Sequence, residues 1–230
     1  MKIDIEIPSG THEMPLHIYQ TFVEVVEEKG SEAYPDFEAE QMIELFCGIS
    51  IDKIKLITLE SFNSLKQHFI TILQKKLPIQ KEFTLNGIKF GMIPDLENIS
   101  YGEYIDLEEN IKHWSTMHKA MAVLYRPIIE TKKDKYLIEP YEGSANYSEV
   151  MRYAPLSIAL SSTVFFWDLG RELLLATIAF LEMEMKKLAK TSRWKDSSAE
   201  SGDGIKASIL LLKDDLNDLM PLPVFPYMNA

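Results

Sequence analysis

The chain has 230 residues, 46% of them apolar, with a formal net charge of -11 and a pI near 5.0. That length and apolar content suit one domain or a domain with appendages. The acidic balance argues against a phosphate-binding surface, which needs clustered Lys and Arg, so nucleic acid is not an expected partner. The single cysteine, Cys47, excludes an intrachain disulfide and fits the reducing cytosol.

Taken in order, Ile3, Ile5 and Ile7 alternate with charged residues, the pattern of a short strand with one wet face. Pro15 suits a first helical position, and Leu16, Tyr19, Val23 and Val26 form a helical stripe that Lys29-Gly30 stops. Asp36 opens a second helix carrying Met42, Leu45, Phe46 and Ile49. Thr58 opens a third carrying Phe62, Leu65, Phe69 and Ile72. Asn86-Gly87, between Phe83-Thr-Leu85 and Ile88-Lys-Phe90, predicts a type I′ hairpin, because both central residues must take positive φ. The N-terminal strand is a candidate third member of that sheet.

Ser100-Tyr-Gly-Glu103 fits a capping box, and Glu103, Asp106, Glu108 and Glu109 enrich the following turns in negative charge, as the helix dipole favours. Glu103, Asp106 and Asn110 share a face but lack a His or Cys at ligand spacing, so the cluster reads as a solvated helix start. Trp114, Met117, Met121 and Leu124 continue as a buried helical stripe until Pro127 disfavours helix at Arg126. Lys132-Lys-Asp-Lys135 is a charged turn, and Tyr136 to Tyr141 reads as extended. A helix from Ala145 breaks at Pro155. The long helix beyond it carries Leu169, Leu173, Ala176, Phe180 and Met183.

Residues 191–204, TSRWKDSSAESGDG, read as a linker, followed by a last helix and a Pro-rich tail to residue 230. The expected organisation is a mainly helical domain over 1–190, a linker over 191–204 and a docking segment over 205–230. The fold class is mainly α, a helical bundle with a small antiparallel β element made of the N-terminal strand and the hairpin. The longest uncharged run, Tyr153 to Trp167, falls short of the roughly 20 apolar residues that cross a bilayer.

No Walker A loop, G-x-G-x-x-G or G-x-S-x-G elbow occurs. His113 and His118 are five apart, unlike the i,i+4 pair of a helical zinc site. No catalytic, cofactor-binding or metal-ligating residue is assigned, and no enzyme is expected. The candidate partner-binding residues are Arg126, Trp194, Pro223, Val224, Phe225 and Tyr227. Arg126, at a helix end, either meets the last carbonyls or reaches a carboxylate on a partner. The others place aromatic and apolar groups on the linker and the stiff tail.

The runs MIELFCGIS (Met42 to Ser50), FTLNGIKFGMIPDLENISYGEYIDLEENI (Phe83 to Ile111), MAVLYRPI (Met121 to Ile128) and YLIEPYEG (Tyr136 to Gly143) resemble tailed-bacteriophage proteins encoded among structural and tail genes, crAss-like and uncultured phages included. More loosely they resemble tail assembly chaperones. The resemblance covers about residues 36–181 and carries no site residues. It implies a non-enzymatic role in virion assembly in the host cytoplasm, with phage tail or neck proteins or a second copy as partner and without a membrane. A ring or connector subunit of the neck or tail, and a small regulatory or adaptor protein, are the alternatives.

Overall fold

The computed structural model describes residues 5–30, 34–133, 135–190 and 208–213. They fall in two compact units divided between Ser162 and Thr163. In the first, four helices come before the sheet: α1 (Leu16–Lys29), α2 (Phe37–Cys47), α3 (Ile51–Ile54) and α4 (Leu59–Leu73). The starts of α1, α2 and α4 and the stops of α1 and α2 are those the sequence signals, whereas α3 forms where the sequence suggests only a link through Ile51-Asp-Lys53, and α4 ends at Leu73, before Pro78. Gly30 and Gly48 end α1 and α2 at positive φ, where the missing Cβ removes the steric penalty. The Thr58 side chain accepts from the Ser61 amide to cap α4.

The helices form by burying one stripe each against their neighbours. Phe22, Phe46 and Phe69 pack in succession, tilted and then edge to face, with ring centroids 5.6 and 5.3 Å apart, and all three are buried.

Asn86 and Gly87 take φ of 50° and 80°, closing the hairpin of β1 (Glu82–Leu85) and β2 (Ile88–Met92). The third strand is β3 (Tyr125–Lys132), antiparallel to β2, and β4 (Lys135–Ile138) completes the order β1-β2-β3-β4. Fold class is therefore mainly α with a small antiparallel sheet, but the sheet's membership differs from the expectation. Residues 5–7 have no regular structure and Ile7 is exposed; Ile3 lies outside the described residues. Local connectivity fills one edge of the hairpin. The chain leaves its preceding helix at Leu124 straight into β3, and the Ile93 amide donates to the Leu124 carbonyl, so the free edge of β2 is already taken.

Gly91 of β2 makes that close pairing possible. A Cβ there would lie 2.6 Å from the Tyr136 ring and 2.9 Å from Ile128. The ring cannot swing away freely, because the Tyr136 hydroxyl donates to the Met92 carbonyl at 2.8 Å. Gly91→Ala is expected to cost about 1–3 kcal/mol by overpacking. Thermal unfolding checks this, and a wild-type midpoint would remove the glycine's structural role.

Between β2 and β3 lie α5 (Tyr101–Asn110) and α6 (Met117–Leu124). They are two helices where the sequence suggests one. Residues 114–116 form a single 3-10 turn, and Trp114 is half-buried in it rather than in a continuous stripe. The Thr116 hydroxyl donates to the Asn110 and His113 carbonyls, a side-chain competitor for helix bonds. All of α6 except Lys119 is buried, so it is the central element of this unit.

After β4 come α7 (Ala145–Met151) and the long α8 (Leu156–Lys190), separated at Pro155 as the sequence predicts. Helix starts leave amides without intrahelical partners. Here the starts of α1 and α8 satisfy each other: Leu16 and His17 donate to the Ala154 and Arg152 carbonyls, and Leu156 donates to that of Met14.

In the second unit, Arg171 lies over the Trp167 ring and 3.9 Å from Asp168. Phe165 and Phe166 pack edge to face, and residues 208–213 are helical, with Lys213 bonded to Glu182 at 2.9 Å.

Candidate functional site

The capping box at the start of α5 sets the geometry of the site. The Ser100 amide donates to Glu103 Oε2 at 2.7 Å, and the Glu103 amide donates to the Ser100 hydroxyl at 3.2 Å. This leaves Oε1 of the same carboxylate facing inward, where Arg126 Nη1 meets it at 2.6 Å. Both side chains are more than nine-tenths buried, at 8% and 9% exposure. Glu103 is thus not part of a solvated helix start. It caps its own helix with one oxygen and neutralises a buried guanidinium with the other.

Burial pushes the Glu103 pKa up, but the Ser100 amide and hydroxyl and the Arg126 guanidinium outweigh it and hold the group below its ordinary value. Of the two accounts open for Arg126, the helix-end one survives only as a long 3.5 Å bond to the Val123 carbonyl. The carboxylate it meets belongs to its own chain. Arg126 Nε is buried without a hydrogen-bond partner.

Tyr141 covers this pair. The guanidinium carbon lies 5.3 Å from the Tyr141 ring centre, within cation–π range. The Tyr141 hydroxyl donates to Asp106, and the ring lies 3.5 Å from where a Gly102 Cβ would sit, so α5 packs directly against residues 139–143. Burial first, then the bond to Asp106, raises the Tyr141 pKa.

Beside this lid a small open pocket of 140 Å³ is lined by Arg126, Glu139, Pro140, Glu142, Gly143, Asn146 and Tyr147. The Tyr147 hydroxyl donates to Glu139, which pushes its pKa up to about 12. Behind Tyr147 stands Phe90, fully buried, with its ring edge-to-face at 5.8 Å.

The opposite face of α5 is exposed. Tyr101 is 80% exposed, Tyr104 50% and Ile105 38%. Spaced i, i+3 and i+4, they form one stripe on the helix surface. Glu108 and Glu109 lie exposed at its end, and from residue 90 to 111 the chain has six acidic residues and no Lys or Arg. Leu56, on the link between α3 and α4, and Leu59, the first residue of α4, are also exposed.

His118, another group singled out by the sequence, is buried at the edge of the core. Gln20 Nε2 donates to its Nδ1 at 3.0 Å, and burial followed by the nearby Arg152 charge lowers its pKa, which keeps the ring neutral. The Cys47 thiol is pushed up to about 11 by burial, the opposite of a reactive thiolate. Among the described residues no group of three or more His, Cys, Asp or Glu is placed to hold a metal ion, and no helix is long and apolar enough to cross a membrane.

Of the sequence-predicted partner-binding residues, only Arg126 is among the described ones. Trp194, Pro223, Val224, Phe225 and Tyr227, with the linker and tail, lie outside them. The sequence reading overlooked Tyr101, Tyr104 and Ile105, although their spacing marks a second apolar face on a helix whose first face carries Glu103, Leu107 and Asn110. It also overlooked Glu139, Glu142 and Tyr147, for which it holds no periodic signal. No protein family, curated protein or solved structure matches the chain.

Proposed function

We propose that this chain is a non-enzymatic assembly protein of a tailed phage, a tail assembly chaperone that holds an unassembled tail component in the host cytoplasm. The phage context rests on the resemblance of the runs between Met42 and Gly143. The binding role rests on one observation: the exposed Tyr101, Tyr104 and Ile105 stripe within an acidic stretch free of Lys and Arg. Exposed aromatic groups grouped on one helix face mark interaction surfaces, and tyrosine is enriched among residues that dominate binding energy. The surrounding carboxylates favour a partner segment that is basic and amphipathic.

The α5 backbone is held from behind by the capping box, the Arg126 pair and Tyr141, so binding has only the side chains of the stripe to order. Tyr101→Ser with Tyr104→Ser is expected to leave stability within about 0.5 kcal/mol per site, because both side chains are exposed. Loss of about 1–2 kcal/mol of binding at each weakens the complex at least tenfold overall. Affinity purification of the tagged chain, co-expressed with the products of its neighbouring genes, measures this. A variant that retains its partner at wild-type level would remove α5 from the binding surface. Mass spectrometry of purified particles separates the roles: stoichiometric presence in virions would replace the chaperone with a neck or tail subunit.

A further inference from the structure

In the second unit, α8 has an apolar face that the described residues leave open. Ala176, Phe180 and Met183, the end of the apolar stripe the sequence marks on this helix, are exposed, and so are Leu175 and Ala179. Leu175 is 46% exposed, Phe180 60% and Met183 55%. At 3.6 residues per turn these positions share one side of the helix. The neighbouring side is occupied. Ile178 is buried there, and Lys213 of the 208–213 segment bonds to Glu182 at 2.9 Å. Lys186, one turn beyond Glu182, is exposed and has no ion pair among the described residues. The same holds for Glu172, at the other end of the open face.

Along this face the order of groups is the same from either end, with the charge reversed. Ala179 is the midpoint. Leu175 and Met183 stand four positions to either side of it, and Glu172 and Lys186 stand seven, about two turns or 10 Å away. A surface that meets a second copy of itself across a two-fold axis must be complementary to itself. Antiparallel α8 helices crossing at Ala179 satisfy that condition. Leu175 meets the partner's Met183 and Glu172 meets the partner's Lys186, and symmetry makes each contact twice. A parallel pair would instead set acid beside acid and base beside base.

We infer that this face of α8 joins two copies of the chain as an antiparallel helix pair centred on Ala179. Charge complementarity selects a second copy as the occupant, because one face carries both the acid and its base at equal distances from its centre. The small Ala179 side chain lets the axes approach to the low end of the usual 8–10 Å. Phe180, one position on, flanks the crossing point beside the partner's Phe180 and shields it from water. The contact spans about four turns of each helix, small for an interface, so the dimer is reversible. It uses none of the residues assigned to partner binding on α5, and either surface can fail without the other.

Sedimentation equilibrium of the full chain from about 2 to 200 µM tests this, and a monomer–dimer equilibrium with a Kd on the order of 10 µM is expected. Phe180→Ser with Met183→Ser is expected to leave a monomer throughout that range. Both side chains are exposed in the single chain, so thermal unfolding at low concentration should remain within about 2 °C of wild type. Glu172→Lys sets like charges against each other at both ends and should weaken the dimer about tenfold. Adding Lys186→Glu exchanges the two charges and should restore the Kd to within about threefold of wild type. A parallel pair would respond to neither change, since like charges face each other in every variant. A chain that stays monomeric at about 200 µM, or a dimer that survives Phe180→Ser with Met183→Ser, would overturn the inference. A dimer indifferent to Glu172→Lys, or not recovered by Lys186→Glu, would overturn the antiparallel arrangement.

Discussion

Arg126→Met is expected to destabilise the protein by about 3–5 kcal/mol, because it leaves the Glu103 carboxylate buried without its counter-charge. That is a large share of the 5–15 kcal/mol typical of a folded domain. The loss should depend on pH in a defined direction. In the wild type the Glu103 pKa lies below its ordinary value of 4.5, so its contribution to stability is full above that value and is lost as pH falls through the folded pKa. Removing the guanidinium leaves burial opposed only by Ser100, so the folded pKa rises. The carboxylate then takes up a proton more readily, and the difference between variant and wild type narrows as pH falls from the variant's raised folded pKa toward the wild type's lower one. Urea unfolding at pH 7 and pH 4 measures both values. Adding Glu103→Gln to Arg126→Met should recover part of the loss, since the double variant buries no isolated charge. Equal deficits at the two pH values would show that the pair is not what the arginine contributes.

Phe90→Ala is expected to cost a similar 3–5 kcal/mol. Phe90 is fully buried, stacks on Phe83 with ring centroids 5.5 Å apart and an interplanar angle of 15°, and supports Tyr147 edge-to-face. It also pairs with Pro127 across the β2–β3 register, so the cavity opens where the sheet meets the pocket wall. Thermal unfolding should show a drop of roughly 10 °C for a chain of this size. Phe90→Leu, which refills most of the volume, should recover more than half of it. A variant as stable as wild type would place the core of the sheet elsewhere.

The parts of this fold written in local chemistry are legible in the sequence. Asn86-Gly87 dictates its turn because few residue pairs accept two successive positive φ values. Ser100 and Glu103 dictate a helix start because they satisfy each other's amides. Pro127 and Pro155 mark where helices cannot continue: the chain is already extended as β3 at the first and passes from α7 to α8 at the second.

What depends on residues far apart is not legible. Ile3, Ile5 and Ile7 have the alternation of a strand, yet residues 5–7 have no regular structure and the β2 edge of the hairpin goes to Tyr125–Lys132, a pairing that alternation alone does not reveal. The break between α5 and α6 has no Gly or Pro to announce it and depends on the Thr116 hydroxyl reaching two carbonyls.

The site follows the same division. Arg126 stands out in the sequence as a charge needing an explanation, but its partner lies 23 positions earlier, in a residue already accounted for as a cap. A carboxylate with two oxygens can serve both roles, and one sequence does not reveal the second. The α5 stripe was within reach, since a helix with apolar residues on both faces buries one and offers the other.

The central claim is that the acidic α5 face binds a basic partner segment. Its most direct test places a photo-crosslinking amino acid at Tyr101, and in a second protein at Leu59, which is equally exposed but lies outside the acidic stretch. Both are co-expressed with the products of the neighbouring genes and irradiated. The account predicts a crosslink from position 101 into a Lys- or Arg-rich segment of one partner, and little or none from position 59. No adduct at 101, or an adduct of equal yield at 59, would contradict it.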